Sequence, residues 1–218
     1  MSLKFPNGAV FGISTAIAAA ITATAVTNAN PAVATVPTDS LADGDVVVMQ
    51  SAWSLAQNAV AVADSLTSTT AALRGLNSTD TTLYETGQAA MKLQIASAFV
   101  DFSQQGDPST SGGDQQFWTG QFLEDKSGRQ ISVPTFKNAK TLTLPLFYDP
   151  NLPWYAAAKA AAVKKEPVVL RCKLPDGDAL YWYGYLSFDA DPTIAANNPM
   201  GNTMTFTALG ESSLVEAP

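Results

Sequence analysis

Three aspartates in the first part of the chain have the side chains, but not the spacing, of a calcium-binding loop. Asp43 and Asp45 belong to the turn sequence DGD, and Asp39 precedes it. A calcium loop of the EF-hand type carries acidic side chains at fixed alternate positions and ends on a bidentate glutamate. That glutamate is absent here. The sequence therefore does not favour metal binding, and we expect no metal site.

The adjacent carboxylates Glu124 and Asp125 could serve acid and base chemistry if both faced one cleft. Glycoside hydrolysis, for example, requires two carboxyl groups flanking the scissile bond. Neighbouring residues of a strand point to opposite faces, so this pair is more typical of a solvated strand edge. The chain has no histidine, which excludes Ser-His-Asp catalysis and histidine-ligated zinc. We therefore expect no catalytic residue, no cofactor and no enzyme activity.

An aromatic strand near the C-terminal end could form a stacking platform for a sugar or a nucleobase. Its members are Tyr181, Trp182, Tyr183 and Tyr185. Alternating aromatic residues more often pack across strands, and this is the interpretation that we favour. The single cysteine, Cys172, excludes an intramolecular disulfide. It lies on the apolar side of its strand, as is typical of an unreactive core thiol.

The chain carries few charges for its length. Its 218 residues suffice for one large domain or two small ones, and its net charge is −7, from 19 acidic and 12 basic residues. This balance argues against a nucleic-acid reader, which normally presents a basic face. It is compatible with DNA that passes by without binding. Only 14% of the residues are charged, against about a quarter in an ordinary protein, which indicates that assembly hides part of the surface.

The apolar stretch of residues 11–36 superficially resembles a secretory signal. A signal peptide has a basic segment, a leucine-like core and a cleavage site with small residues. Here Lys4 is the only basic residue that precedes the stretch, and the turn pair Asn7-Gly8 separates the two. The threonines within the stretch favour strands. We therefore predict that it remains in the working protein as β-strands.

Brief apolar runs between turn residues predict short strands in the first half of the chain. The predicted elements there are strands at 21–26 and 32–36, a turn at 43–45, the strand VVVM, strands at 59–63 and 71–76, and a loop at 80–87. Beyond Lys92 we predict a strand at 93–102, a flexible connector at 107–114 and a hairpin at 116–131 with its turn at 126–128. Alternating strands at 141–148 and 202–209 and a hairpin of 168–174 and 179–188 around PDGD complete the β-structure.

One segment, residues 153–165, has the features of a helix. It is rich in alanine, it has proline in its first turn, and lysines lie near its C-terminal end. Its apolar stripe consists of Trp154, Ala157, Ala158 and Ala161. The sequence thus predicts a mainly β protein with one helix.

Several motifs, taken in order, are specific to one family. They are STSGGDQQFWTGQFLED (109–125), DPNLPWYAAAKAA (149–161) and LPDGDALYWYGYLSFDADPT (174–193), preceded by NANPAVATV, LADGDVVV, Trp53 and NSTDTTLYETG. Together they resemble the major tail tube protein of bacteriophages with long, non-contractile tails, the lambda-like tail tube family. The resemblance covers nearly the whole chain, and the succession of GGxQQF, QFLE, helix and PDG hairpin is its specific part.

The resemblance implies a tail-tube-type β-sandwich or half-barrel with one flanking α-helix, plus a small inserted β-domain. Residues 1–20 and 91–212 would form the tube domain, residues 21–90 the inserted domain, and residues 213–218 a C-terminal tail. It further implies that six copies form a ring, that rings stack into a hollow tube, and that the tube conducts the genome during ejection.

The resemblance also implies the partners and the location of the chain. The partners would be further copies of the chain and other tail proteins, namely the tape measure, the terminator and the baseplate. DNA would pass through the lumen without specific binding, and we expect no direct membrane insertion. The subunit would be assembled in the host bacterial cytoplasm and end in the virion tail.

The segment 104–131 is expected to be the long hairpin that reaches the neighbouring ring. Its aromatic residues would anchor that contact and its charged residues would form a polar rim. The candidate interface residues are Phe117, Trp118, Phe122, Glu124, Asp125, Lys126 and Arg129. Two alternatives stay open: a single-ring tail terminator or baseplate tube component, and an extracellular β-sandwich binding module.

Overall fold

The computed structural model of the protein describes residues 6–87, 90–124, 126 and 128–217. The strands are β1 (Val10–Ile17), β2 (Ile21–Ala23), β3 (Ala25–Val26), β4 (Ala32–Thr35), β5 (Val46–Ser51), β6 (Val60–Asp64), β7 (Thr70–Arg74), β8 (Met91–Asp101), β9 (Ser109–Ser111), β10 (Gln115–Gly120), β11 (Ile131–Lys137), β12 (Thr141–Phe147), β13 (Val168–Lys173), β14 (Ala179–Phe188), β15 (Gly201–Ala208) and β16 (Ser213–Val215), and the helix is α1 (Pro153–Lys164). The prediction of a mainly β fold with a flanking helix is confirmed for these residues.

Residues 21–93 close into a small barrel. Its strands are hydrogen-bonded in the order β4-β7-β6-β5-β8. The segment that carries β2 and β3 closes the row, since β2 pairs with β8 and β3 pairs with β4. Such closure removes free sheet edges. The interior is filled by side chains that include small ones, such as Ala23, Ala34, Ala61, Ala63 and Ala71, and large ones, such as Met49, Trp53 and Leu73.

The turns predicted for the barrel are present. Gly44 has a φ of 86°, a conformation that glycine adopts without strain. The N–H of Ala42 donates to the Asp45 carboxylate at 2.8 Å and tightens the same turn. Residues 46–49, the predicted strand VVVM, are all buried. The predicted loop at 80–87 contains no strand.

Beyond the barrel the sheet continues in the order β8-β1-β13-β14-β15-β12-β9. It curls so far that β6 of the barrel packs against β14. The side chains buried in the curl include Val48, Val60, Val169, Tyr181 and Tyr183. The strand β8 hydrogen-bonds to β1 on one side and to β5 of the barrel on the other, so the sheet is continuous between the two regions. The domain boundaries proposed from the sequence therefore stay a prediction. The segment proposed as a C-terminal tail begins with β16, which pairs with β14.

The helix α1 covers the opposite face of the curled sheet. Lys165 ends it in a left-handed conformation, with a φ of 55° and its N–H donating to the carbonyl of Ala161 at 3.2 Å. Trp154 and Ala158 of its predicted stripe are fully buried. They pack in one core with the alternating leucines of β12. No helix in the described part of the chain is long and apolar enough to cross a membrane.

The hairpin of β13 and β14 forms as the sequence indicates. Leu170 pairs with Trp182, and Gly177 in the connecting turn has a φ of 93°. Of the four aromatic residues on β14 considered for a stacking platform, only Tyr185 is exposed, and Tyr181, Trp182 and Tyr183 are buried. Packing across strands, rather than a stacking platform, is therefore the correct interpretation.

Two sequence predictions for the middle of the chain are wrong in detail. The connector at 107–114 contains β9, which pairs with Thr141–Thr143 of β12. The predicted turn at 126–128 includes Ser127, which lies outside the described residues, but the strands of the predicted hairpin are shorter than expected, because β10 ends at Gly120 and β11 begins at Ile131. A glycine weakens the interior of a strand, and the ladder stops at the pair of Gly120 and Ile131. Residues expected on strands, such as Phe122, therefore lie in the loop.

Candidate subunit interface

The hairpin of β10 and β11 forms a sheet of its own. Its two strands pair antiparallel and are separate from the large sheet. The register runs from Phe117 opposite Pro134 to Gly120 opposite Ile131, and it shifts by a bulge between residues 115 and 117. An isolated two-stranded hairpin is only marginally stable in water, and β10 and β11 form such a pair.

The base of the hairpin is tied to the body by a few polar contacts. The N–H of Gly113 donates to the carbonyl of Asn138 at 3.1 Å, and the N–H of Asn138 donates to the carbonyl of Asp114 at 3.0 Å. Lys137 forms an exposed ion pair of 3.1 Å with Glu211. The strands thus extend from a defined base.

Both faces of the hairpin expose large apolar side chains to water. On one face, Trp118 lies opposite Val133, and the two are 51% and 46% exposed. On the other face, Phe117 lies opposite Pro134 and is 57% exposed. Beyond the bulge, Phe136 is 67% exposed. A strand pair packed on its own subunit would bury one face, so neither face is covered here.

The indole of Trp118 lies along its own strand. It occupies the space above Gly120, where a Cβ atom would overlap the ring. The glycine therefore lets the indole lie flat against the strand. The ring nevertheless leaves half of its surface open to a partner.

The described residues between β10 and β11, namely 121–124, 126 and 128–130, form the tip of the hairpin. Phe122 is exposed, and Leu123 is completely exposed. The described charged residues predicted for this segment are also exposed, namely Glu124, Lys126 and Arg129. The remaining predicted residue, Asp125, lies outside the described residues. The described residues of the predicted interface therefore lie in two places: Phe117 and Trp118 on opposite faces of β10, and the others at the tip of the hairpin.

Sequence reasoning missed four apolar residues of this hairpin: Leu123, Ile131, Val133 and Phe136. The signal was present in the sequence ISVPTF, where apolar residues occupy both alternating sets of positions. A strand that packs on one side alternates apolar with polar residues. Apolar residues at both alternating sets of positions indicate a strand whose two faces are both covered.

An open groove of 660 Å³ lies at the foot of the hairpin. It is lined by the barrel loop at Leu55 and Asn58, by Lys137 and Asn138 of the hairpin base, and by Leu209 after β15. Leu55 and Leu209 are both exposed. One end of the barrel and the base of the hairpin therefore lie side by side.

A charged cluster lies on β8 and β13, on the sheet face that also carries Val169 and Tyr181. The carboxylate of Asp101 accepts from Arg171 at 2.8 Å and from Lys173 at 3.0 Å, and the Arg171 guanidinium lies 4.2 Å from the ring centre of Phe99. The carboxylate lies over Gly12, where a Cβ atom would overlap it. Partial burial raises the pKa of Asp101, but the hydrogen bonds and charges of Arg171 and Lys173 outweigh it and lower the pKa overall.

We expect Asp101→Asn to lower the free energy of unfolding by about 1 kcal/mol or less, because the carboxylate is partly exposed. A lowered folded-state pKa stabilises the protein above the usual aspartate value of about 3.9, and this contribution is lost as the pH falls through the lowered value. The difference between wild type and variant, measured by urea unfolding, should therefore be present at pH 7 and shrink below pH about 4. A difference that is constant over this range would contradict the assignment.

Other chemistry is sparse in the described part of the chain. No group of three or more His, Cys, Asp or Glu side chains converges there as a metal site would require. Cys172 is buried, and burial raises the pKa of its thiol, which disfavours the reactive thiolate.

Two solved structures resemble part of the chain. The first is the virion of a native gene transfer agent particle, with 12% identity and a TM-score of 0.40 over 54% of this chain and 88% of that chain. The second is the tail of an empty gene transfer agent particle, computed with C6 symmetry, with 12% identity and a TM-score of 0.42 over 55% and 87%. No curated protein matches the sequence.

The family comparison covers most of the chain. The model of the family described as phage tail tube protein, TTP, matches residues 51–217. The match includes the hairpin of β10 and β11, the helix and the hairpin of β13 and β14, which are the motifs that carry the resemblance in the sequence. The chain therefore belongs to the phage tail tube protein family and is a structural component of the virion tail.

Proposed function

We propose that the chain polymerises as hexameric rings, and that these rings stack into the hollow tube that conducts the genome during ejection. The observation that carries this proposal is the hairpin of β10 and β11, which is apolar on both faces and covered on neither. Contiguous exposed apolar patches are rare on monomers and mark interaction sites. In a tube of identical subunits the next ring would cover them.

Free strand edges support contact between neighbours within a ring. The three exposed residues of β9 form the last strand of the large sheet, and β10 and β11 pair only with each other among the described strands. Unpaired edges invite pairing with another chain. In the proposed ring, edge packing between subunits uses these strands.

The partners and the place of assembly belong to the same proposal. The ends of the tube contact other tail proteins, namely the tape measure, the terminator and the baseplate, and assembly takes place in the host cytoplasm. A chain whose single cysteine is a buried free thiol suits a reducing compartment. The binding-module alternative loses its basis, because three of the four aromatic residues that it requires are buried.

Sedimentation velocity over a wide range of protein concentration separates the remaining alternatives. A tube subunit should show a monomer and a broad series of large polymers that grows with concentration. A terminator or baseplate component should stop at one closed ring. A chain that sediments as a monomer at every concentration and salt would contradict the proposal.

We expect the assembled tube to have no measurable affinity for DNA at physiological salt. The subunit has a net charge of −7, and like charge repels the phosphate backbone. Fluorescence anisotropy with a labelled DNA duplex would measure this. Tight binding that weakens steeply with salt, as basic contacts to phosphates produce, would contradict a conduit with a neutral or acidic wall.

A further inference from the structure

We infer that residues 209–217 act as a clasp that fixes the small barrel in one orientation on the large sheet. The inference concerns the single subunit and does not depend on the proposed tube. The two regions share the strand β8, which pairs with β5 of the barrel through residues 91–96 and with β1 through residues 96–101. Just beyond the stretch that pairs with β5, Ala98 has a φ of 52°, which is uncommon for a residue with a side chain. A single shared strand with such an irregularity leaves the orientation of the barrel to other contacts.

On one side, hydrogen bonds tie the clasp to the large sheet. The N–H of Leu209 donates to the carbonyl of Tyr183 at 2.8 Å, and β16 pairs antiparallel with residues 179–181 of β14. Beyond β16, the N–H of Ala217 donates to the carboxylate of Asp178 at 2.9 Å. The clasp is therefore bonded to the sheet at its beginning, its centre and its end.

On its other side the clasp lies against the barrel. A Cβ atom on Gly210 would lie 2.8 Å from the carbonyl oxygen of Asn58, so glycine is what lets the chain pass this close to the barrel loop. The guanidinium of Arg74, at the end of β7, donates to the carbonyl of Glu216. The clasp thus contacts the barrel near both of its ends.

The centre of the clasp fills the seam where β6 of the barrel meets β14. Val215 is only 6% exposed. It packs in one apolar cluster with Val60 and Val62 of β6 and with Tyr181 of β14. The neighbouring Leu214 points to the opposite face of the strand and is 47% exposed. One face of β16 therefore closes the seam, and the other face is open to water.

A subunit shortened to end at Ser212 tests the inference. It lacks β16 but keeps the ion pair at the base of the hairpin. Spin labels on Ser68→Cys in the barrel and Lys159→Cys on α1, both exposed positions, report the distance between the two regions in dilute subunits of the Cys172→Ala background. We expect a single narrow distance maximum in the full-length subunit. The shortened subunit should lose that maximum, while circular dichroism shows that its β-structure is kept.

Two full-length variants separate the seam contact from the length of the chain. Val215→Asp places a charge in the seam, where an unpaired charge is strongly disfavoured, and should also lose the narrow maximum. Leu214→Asp places the same charge on the exposed face of β16 and should keep it.

A narrow maximum in the shortened or the Val215→Asp subunit would overturn the inference, because the barrel would then be fixed without the clasp. Loss of β-structure in the shortened subunit would overturn it as well, because residues 213–217 would then belong to the core of the fold.

Discussion

A subunit in which an Asn-Gly turn replaces residues 115–137 is expected to fold but to form no tubes. Asp114 and Asn138 are already joined by a hydrogen bond of 3.0 Å, and Asn-Gly is a favoured two-residue connection between antiparallel strands. The deletion removes the ion pair of Lys137 with Glu211, and an exposed pair of this kind contributes about 1 kcal/mol or less. It also removes both apolar faces, so subunits lose the contact on which stacking depends.

Two full-length variants show which property of the hairpin matters. Phe117→Thr combined with Trp118→Thr keeps the length and the strand propensity but removes both aromatic anchors. Because anchors of this kind contribute about 2 kcal/mol or more each, and each 1.4 kcal/mol is a factor of about ten, we expect the concentration needed for tubes to rise by about a thousandfold if the two contributions add. Thr119→Ser on the same strand should assemble like the wild type. Thermal unfolding checks the fold, and electron microscopy scores the tubes.

Either of two results would contradict the assignment of the hairpin to stacking. In one, the deletion variant builds tubes of normal length. In the other, the deletion variant fails to fold, which would make the hairpin part of the core structure rather than an assembly element.

Trp154→Ala is expected to lower the free energy of unfolding by about 3–5 kcal/mol, the usual range for deleting a buried large aromatic side chain. Trp154 is fully buried where α1 meets the sheet. Its ring centre lies 5.9 Å from that of Phe102 and 6.1 Å from that of Phe188. The substitution leaves a cavity among these rings, and a loss of this size is a large part of the stability of an ordinary domain. Urea unfolding of the dissociated subunit measures it.

The matched variant is Trp154→Phe. The indole N–H of Trp154 is buried and has no hydrogen-bond partner in the described structure, and an unsatisfied buried donor destabilises a protein by about 1–3 kcal/mol. Phenylalanine removes that donor and keeps most of the ring contacts. We therefore expect Trp154→Phe to lose less than half as much stability as Trp154→Ala. An alanine variant within about 1 kcal/mol of the wild type, the typical effect of an average substitution, would contradict this view of the core.

Local chemistry made part of the fold predictable. The PDGD turn places Gly177 where a positive φ is needed and thereby fixes the register that pairs Leu170 with Trp182. The segment after Pro153 is rich in alanine, the residue with the highest helix propensity, and therefore strongly favours a helix. The leucines of β12 alternate in sequence and are buried as predicted.

Long-range pairing was not predictable from the sequence. Closure of the barrel depends on the segment of residues 21–26, which pairs with β8 at one end and with β4 at the other. The pairing with β4 is local and follows from the two neighbouring apolar runs, but nothing in that short segment specifies pairing with the distant β8. The strand β9 was missed for the same reason, since Ser109–Ser111 has loop-like residues and becomes a strand only beside β12.

The exposure of the predicted aromatics was predictable, but the shape of the segment that carries them was not. Phe117, Trp118 and Phe122 are all exposed, and their role in an interface stays a prediction. The strand β10 ends at Gly120, earlier than we predicted from the Lys-Ser-Gly sequence, so Phe122 lies at the tip instead of on a strand. The second apolar face became evident only when the register placed Pro134 beside Phe117 and Val133 beside Trp118.

Electron microscopy of the purified full-length chain tests the central claim most directly. Concentrated protein should contain hollow tubes built from stacked rings, and end-on views should show sixfold symmetry. The same sample after dilution should show shorter tubes and free subunits. Monomers or isolated single rings at every concentration and salt, with no stacking, would contradict the claim that this chain is the repeating unit of a tail tube.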